Sequence, residues 1–434
     1  MTEALFSGTA PRLWLRVEQD ADKPFYARVP AGLADGYVVN ANLIEHSPAS
    51  VGAFLDQFER PFIVDPMSYR FERVAWHTRE RDGEVENKRN YRRLWEKYAN
   101  GVDGLSGDPL VDRGTRRIVS EQAALRFCAN VIEFQDRRLR SAWIDDGAQY
   151  VGMDRLFGYS LAPSAYVAPY VVVGEEDDPV RDIDRLVMFA TATASLGRPP
   201  VVAILPILGG VLEDIACMRR LASGIALSGA SSVLVWPVGQ SAFALADSPS
   251  LFTGLTVLLR GLREGGLETG MLYGGFFSTL LRGFGSLGFS HGLMYGESRG
   301  LDPAAGRPST RFYFPPLHES LPYTIASQLI AGMSGQEYLD RVCGCELCQA
   351  LVAEGSLAEY FMTYVPDGAK RPFPTSAALD LNRMHYLFAR GRELDFARLR
   401  PESQLIADLL RAVDEFPPAA TRVVRSWAGR LNSA

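Results

Sequence analysis

The stretch PPVVAILPILGGVL, Pro199 to Leu212, decides the reading of the fold. Its apolar residues run consecutively instead of alternating, with Pro206 inside the run and Gly209 and Gly210 at its end. Consecutive apolar positions suit a strand buried on both faces, as in a parallel sheet covered by helices, and the glycines suit the turn that follows. The run is too short and too interrupted to span a membrane, which takes about 18 or more apolar residues.

Working outward, similar runs recur along the chain. Eight candidate strands are read at Gly36–Glu45, Pro61–Phe71, Ala165–Val173, Pro200–Pro206, Ser231–Val238, Thr269–Gly274, Phe289–Tyr295 and Arg311–Phe314. The spacers carry amphipathic stretches such as IVSEQAALRFCANVIEFQDRRLRSAW, Ile118 to Trp143, and DDPVRDIDRLVMFATATA, Asp177 to Ala194. Repeated strand–helix units predict an α/β fold, a (β/α)8 TIM-type barrel, with a doubly wound sheet as the alternative. The connection from about Glu72 to Pro163 is too long for a structureless loop, so a helical insertion is expected at about 72–163. After Phe314 the pattern changes to RVCGCELCQALVAEGSLAEYF. The expected division is therefore a barrel over 1–320 and a C-terminal helical zinc-binding subdomain over 321–434.

The composition bounds the function. A hydrophobic fraction of 47% and a charged fraction of 22% are those of a soluble globular protein. The beginning, MTEALFSGTAPRLWLRVEQD, lacks a basic segment followed by an apolar run, so no signal peptide is expected and the protein is read as cytoplasmic, with no membrane partner. The net charge of −6 weighs against a general nucleic-acid binder, although Lys88, Arg89, Arg92, Arg93 and Lys97 form a basic run. Each such patch, taken alone, is read as a solvated helix face.

Three of the five cysteines fall in CGCELC, at Cys343, Cys345 and Cys348. Such spacing is poor for disulfides and good for wrapping one soft, tetrahedral ion. His385, in LNRMHYLFARGREL on an expected helix, is the preferred fourth ligand, with a second histidine or an acid as the alternative. A Cys3His site has no open position, so Zn2+ there is expected to be structural.

A barrel followed by this cysteine–histidine pattern resembles the tRNA-guanine transglycosylase family. ERPFIVDP, Glu59 to Pro66, looks like that family's second-strand motif; LPILGGVLEDIACMRRLA, Leu205 to Ala222, is similar to its fourth-strand segment; MLYGGFFSTLL, Met271 to Leu281, resembles its sixth strand and following helix. These segments follow the family's order over most of the chain from Gly36 to the metal motif. The resemblance implies a pentosyltransferase that exchanges a purine for a 7-deazapurine base in DNA or tRNA through two carboxylates, one attacking the anomeric carbon and one handling protons. Asp65 matches the proton-handling aspartate, and Gly209, Gly210 and Gly274 fall in the segments that shape the base pocket. As a strand-end acid, Asp65 also suits the face where barrels carry chemistry, the other reading being a turn aspartate before Pro66.

The chain departs from the family at three places, the first being the third strand, which ends in APYVVVGEEDD, Ala168 to Asp178, without the family's base-recognising aspartate. Leu208 stands where the family has a base-recognising glutamine, and SHGLMYGESRG, Ser290 to Gly300, replaces its nucleophile motif, with Leu293 at the nucleophile's place. A leucine cannot attack an anomeric carbon. Asp65 or Glu297 is then the candidate nucleophile, with Arg299 as an ion-pair partner of Glu297. Asn40, Asn42, Gln240, His291 and His318 are polar groups near strand ends that could contact a base or sugar, and Trp236, Tyr170, Tyr295 and Phe276 could supply stacking faces. Three functions follow: a remodelled transglycosylase like the diverged DNA-modifying members, an enzyme on a free 7-deazapurine base or nucleoside, and a non-catalytic subunit with a protein partner or a homodimer. The order reflects the survival of Asp65 and of the polar strand ends.

Overall fold

The computed structural model describes residues 5, 10–30, 32–81, 84–146, 161–175, 178–198, 200–293, 299–302, 311–354 and 375–432. Eight parallel strands form a barrel: β1 (Arg12–Val17), β2 (Gly36–Asn40), β3 (Phe62–Asp65), β4 (Tyr166–Val167), β5 (Val201–Leu208), β6 (Ser232–Val238), β7 (Glu268–Leu272) and β8 (Ser286–His291). Ladders join β3 through β2, β1, β8, β7, β6 and β5 to β4, and a parallel bridge between Ile63 and Ala165 brings β3 against β4 and all but closes the ring. The barrel reading thus holds over the doubly wound alternative.

One expected strand leaves the barrel and one unexpected strand takes its place. Arg311–Phe314 is a strand, but it pairs antiparallel with Glu319–Pro322 in a separate hairpin, outside the barrel. The barrel's missing member is β1, RLWLRV, which has no continuous apolar run because Arg16 points inward. Strand ends also fall short of expectation. β2 stops at Asn40, where Ala41–His46 turns helical, and β3 stops at Asp65, before a 3-10 turn over Ser68–Glu72.

The two faces of the strands divide the core. Leu13, Leu15, Val39, Val64, Leu205 and Val235 pack outward against the helices. Trp14, Val38, Ile63, Ile204, Leu234 and Leu272 fill the interior. Gly36 makes room for this interior: a Cβ there would lie 2.6 Å from the Pro61 carbonyl oxygen and 2.6 Å from the Trp14 ring.

The helical ring includes α1 (Pro48–Phe58), α2 (Arg89–Ala99), α3 (Glu121–Asp146), α4 (Pro179–Ser195), α5 (Ile215–Leu227) and α6 (Pro249–Glu264). Their starts follow capping chemistry. Asp178, Asp214 and Ser248 accept hydrogen bonds from the first free amides of α4, α5 and α6, and Pro179 and Pro249 occupy first-turn positions. The expected insertion supplies α2 and α3, together with a hairpin of Thr78–Arg81 and Glu84–Asn87. Gln135 of α3 completes the short β4: its amide donates to the Val167 carbonyl at 2.7 Å and accepts from the Val167 amide at 2.9 Å.

Beyond the barrel lie α7 (Glu346–Glu354), α8 (Ser376–Leu399), α9 (Glu402–Glu415) and α10 (Pro418–Asn432). Arg282, following β7, donates to the Ala397 and Arg400 carbonyls at 3.2 and 2.9 Å and so caps the end of α8 against the barrel. Trp427 of α10 packs on Phe277, and Arg430 donates to the Ala246 carbonyl. Among the described residues no helix is long and apolar enough to cross a membrane.

Candidate active site and metal centre

The first three strands each end in an inward polar residue: Arg16 on β1, Asn40 on β2 and Asp65 on β3. Parallel register sets Asn40 beside Asp65. One Arg16 nitrogen, Nη2, donates to Asn40 Oδ1 at 2.8 Å and to Asp65 Oδ2 at 2.9 Å. The side chains of Arg16 and Asp65 are both 0% exposed, so the pair is sealed from solvent. The other Asp65 oxygen, Oδ1, accepts from the Met67 amide at 2.9 Å and from the Tyr170 hydroxyl at 2.8 Å. Met67 reaches back because its backbone is left-handed, with φ of 53°. Tyr273, whose ring lies 4.4 Å from the Arg16 guanidinium carbon, is also left-handed at φ 55°. Such conformations cost about 1–3 kcal/mol each in non-glycine residues and cluster at functional sites.

Glu18, just past β1, extends the group outward. Its Oε1 accepts from Arg16 Nε at 3.2 Å and also takes Arg299 Nη1. Burial would raise the Glu18 pKa, but Arg299, Arg16 and Arg70 outweigh it and hold the carboxyl down at about 2. Arg299 is itself pinned: the Trp236 indole and the Gly239 amide both donate to its carbonyl, and its guanidinium lies over Trp76 and Tyr273. Around this group, Tyr69 stacks on Tyr170 at 5.9 Å and meets Trp236 edge-on at 5.1 Å, and Trp236 lies 5.0 Å from Tyr273. The arrangement is a polar, doubly acidic cluster with aromatic walls at the C-terminal ends of the strands.

Of the residues singled out from sequence, Asp65 and Arg299 meet here, together with Asn40, Tyr170 and Trp236. Gln240 and Gly209 lie side by side after β6 and β5, where a Cβ on Gly209 would stand 2.8 Å from the Gln240 amide nitrogen; the same position on Gly210 is open. Leu208 packs against the interior cluster. Asn42 sits in the helix after β2, with a buried Oδ1 that accepts from none of the described residues. Glu297 and Tyr295 lie outside the described residues.

Four of the residues singled out from sequence sit away from this cluster. His291 does not face the mouth. Its ring lies against Phe289 on the outward side of β8 and against Tyr386 of α8, and burial followed by the charge of Arg390 pushes its pKa down to about 3. Gly274 is a packing position, where a Cβ would come within 2.4 Å of Ser278 Oγ and 2.8 Å of Met271 Cβ. Phe276 and His318 stack on each other at 3.5 Å in the contact with the C-terminal region, where His318 Nδ1 meets Glu393 of α8 at 2.7 Å. Arg16 and Glu18 were missed altogether. Their signal was the alternation of RLWLRV, in which Arg12, Trp14 and Arg16 share one face of a strand.

The second constellation lies against the hairpin. Cys343, Cys345, Cys348 and His385 are all buried, and their ligand atoms lie within 4.8 Å of one another, a group that could hold a metal ion. His385 Nδ1 is 3.3 Å from Cys348 Sγ and 3.8 Å from Cys345 Sγ. These separations bracket the roughly 3.6 Å edge between sulfur and nitrogen in a tetrahedron with metal bonds of about 2.3 and 2.0 Å. The other ring nitrogen, Nε2, lies 3.0 Å from the Tyr313 carbonyl, which fixes its hydrogen there and leaves Nδ1 to ligate. Phe312 stacks on the ring at 4.8 Å. The hairpin misassigned to the barrel thus supports the fourth ligand.

No family model matches the chain, and no curated protein matches it. Among solved structures it is similar to the crystal structure of a HpcH/Hpal aldolase/citrate lyase family protein from Burkholderia cenocepacia J2315, at 14% identity and a TM-score of 0.30, over 67% of this chain and 91% of that one. A likeness of that degree implies neither substrate nor mechanism.

Proposed function

We propose that this chain is a base-exchange glycosyltransferase like the tRNA-guanine transglycosylase family, replacing a purine with a 7-deazapurine in DNA or tRNA. The observation that carries the reading is the pair of carboxylates, Asp65 and Glu18, joined through Arg16 within an aromatic wall. Cleaving a glycosidic bond builds positive charge on the sugar, which an ionised carboxylate stabilises or captures. Tyr69, Trp236 and Tyr273 are buried against one another here, so a planar base would stack on them by parting these contacts. Leu208 offers no amide to its edge, so selectivity rests on other groups, of which Gln240 is the nearest in kind. We assign zinc to Cys343, Cys345, Cys348 and His385. With four protein ligands, it would tie the turn before α7 and α7 itself to α8 and take no part in the reaction.

A second reading, a non-catalytic subunit working with a protein partner or as a homodimer, is favoured by the enclosure of Asp65, both of whose oxygens are occupied. The net charge of −6 favours a free base or nucleoside as the variant of the first reading. Cytoplasmic residence accords with each of these.

The test is to incubate the full chain with labelled guanine or 7-cyano-7-deazaguanine and, in parallel, DNA, tRNA and guanosine. Label retained in a polymer supports base exchange in nucleic acid. Turnover of guanosine alone moves the substrate to free nucleosides. No exchange with any of them, together with a stable complex with a second protein or a second copy, leaves the partner-subunit reading.

A further inference from the structure

We infer that Glu18 is the nucleophile of the proposed exchange, its Oε2 forming the bond to the anomeric carbon; the inference rests on the glycosyl-transfer reading above. Three observations separate Glu18 from Asp65. The Asp65 side chain is 0% exposed, whereas that of Glu18 is 26% exposed. Asp65 has both oxygens taken, Oδ2 by Arg16 and Oδ1 by the Met67 amide and the Tyr170 hydroxyl. Glu18 has both of its guanidinium partners on a single oxygen, Oε1, and Oε2 accepts from no described residue.

That asymmetry orients the carboxylate. Two charge-assisted hydrogen bonds on Oε1 fix the plane of the group and point the lone pairs of Oε2 away from the arginines. The Arg16 guanidinium is held by Asn40 and Asp65, while Arg299 has its backbone held by Trp236 and Gly239 and its guanidinium over the Trp76 and Tyr273 rings, so both anchors are in place before substrate arrives. The same arginines keep Glu18 ionised at any ordinary working pH. Asp65 then acts as a positioning residue, through Arg16.

The reaction balances without a redox partner. The Oε2–C1′ bond forms as the C1′–N bond to the leaving base breaks; the base departs with the bond pair and takes a proton from solvent. The entering base gives a ring N–H proton to solvent and attacks C1′, and the C1′–Oε2 bond pair returns to the carboxylate.

The experiment uses the full chain with DNA, tRNA or guanosine, quenched in acid during turnover and mapped by peptide mass. A pentosyl adduct is expected on the peptide containing Glu18. Glu18→Gln should lower exchange by at least about a thousandfold, measured at a temperature where circular dichroism shows the variant still folded. Glu18→Asp keeps the charge for Arg16 and Arg299 but withdraws Oε2 by one methylene, and should lower exchange by at least about tenfold. An adduct on another residue, or Glu18→Gln exchanging at close to the wild-type rate, overturns the assignment and leaves glycosyl transfer standing. A wild-type chain that exchanges none of the three substrates overturns the reaction, and the assignment with it. Should Glu18→Gln fail to fold, the adduct map on the wild-type chain and the Glu18→Asp rate decide between these outcomes.

Discussion

Replacing Arg16 with methionine removes one charge from a site that solvent does not reach. Arg16 donates to Asn40 at 2.8 Å, Asp65 at 2.9 Å and Glu18 at 3.2 Å. At the Asp65 separation the bare attraction is roughly 6 kcal/mol for an effective dielectric of about 20, most of it offset by the cost of taking both ions out of water. The single substitution does not recover that cost: Asp65 keeps its Met67 and Tyr170 donors but loses its counter-charge. Methionine nearly preserves the volume, so little cavity penalty adds to this. The expected destabilisation is about 3–5 kcal/mol. Arg16→Met combined with Asp65→Asn removes both charges and should recover at least about half of it, a coupling that a double-mutant cycle measures. Urea unfolding followed by tryptophan emission is a suitable assay, because Trp14 and Trp236 both lie inside the barrel. A single variant within about 1 kcal/mol of wild type, or a double variant equal to the sum of the singles, would refute the view that this pair organises the barrel mouth.

His291 should tie stability to pH. Its folded-state pKa of about 3 lies below the ordinary value of 6.5, so its contribution is complete above pH 6.5 and falls as the pH drops towards 3, by about tenfold in the folding equilibrium per pH unit. His291→Asn should remove that component from the urea midpoint measured against pH, and an unchanged slope would count against the burial argument. Gly36→Ala should destabilise by about 1–3 kcal/mol or more, since a Cβ 2.6 Å from a backbone carbonyl cannot be relieved by a side-chain shift; a wild-type urea midpoint would contradict this. Cys345→Ser should reduce the metal content from about one ion per chain to near zero and expose the region from the hairpin to α8 to protease, because ion binding and local folding are coupled. Elemental analysis and limited proteolysis read both effects, and retention of the metal would speak against the ligand set.

The parts of this molecule legible in its sequence are those governed by local pattern. β5 and β6 are continuous apolar runs because helices cover one face and the barrel interior the other, and that pattern needs no knowledge of neighbours. Cys343, Cys345 and Cys348 are bound by spacing within one turn of chain, and His385 stood out as a histidine on a helix beyond the barrel. β1 escaped because its charged inward residue, Arg16, is paired partly with Asn40 and Asp65, 24 and 49 positions away, and it is the pairing of β1, β2 and β3 that brings them together. RFYF at Arg311–Phe314 misled for the opposite reason: it is as apolar as a barrel strand, but what covers it includes the metal helix α8, through the contact between Tyr313 and Glu393. His291 was placed by its position at a strand end, whereas the pleat turned it outward.

Base exchange at Glu18 requires the barrel mouth to take a purine-like base beside it. Soaking crystals of the full chain with guanine and with 7-cyano-7-deazaguanine tests it most directly. A base should part and stack against Tyr69, Trp236 and Tyr273, with its glycosidic nitrogen directed towards Glu18 Oε2. A base bound elsewhere on the chain, or a mouth that stays closed to both bases at saturating concentration, would contradict it.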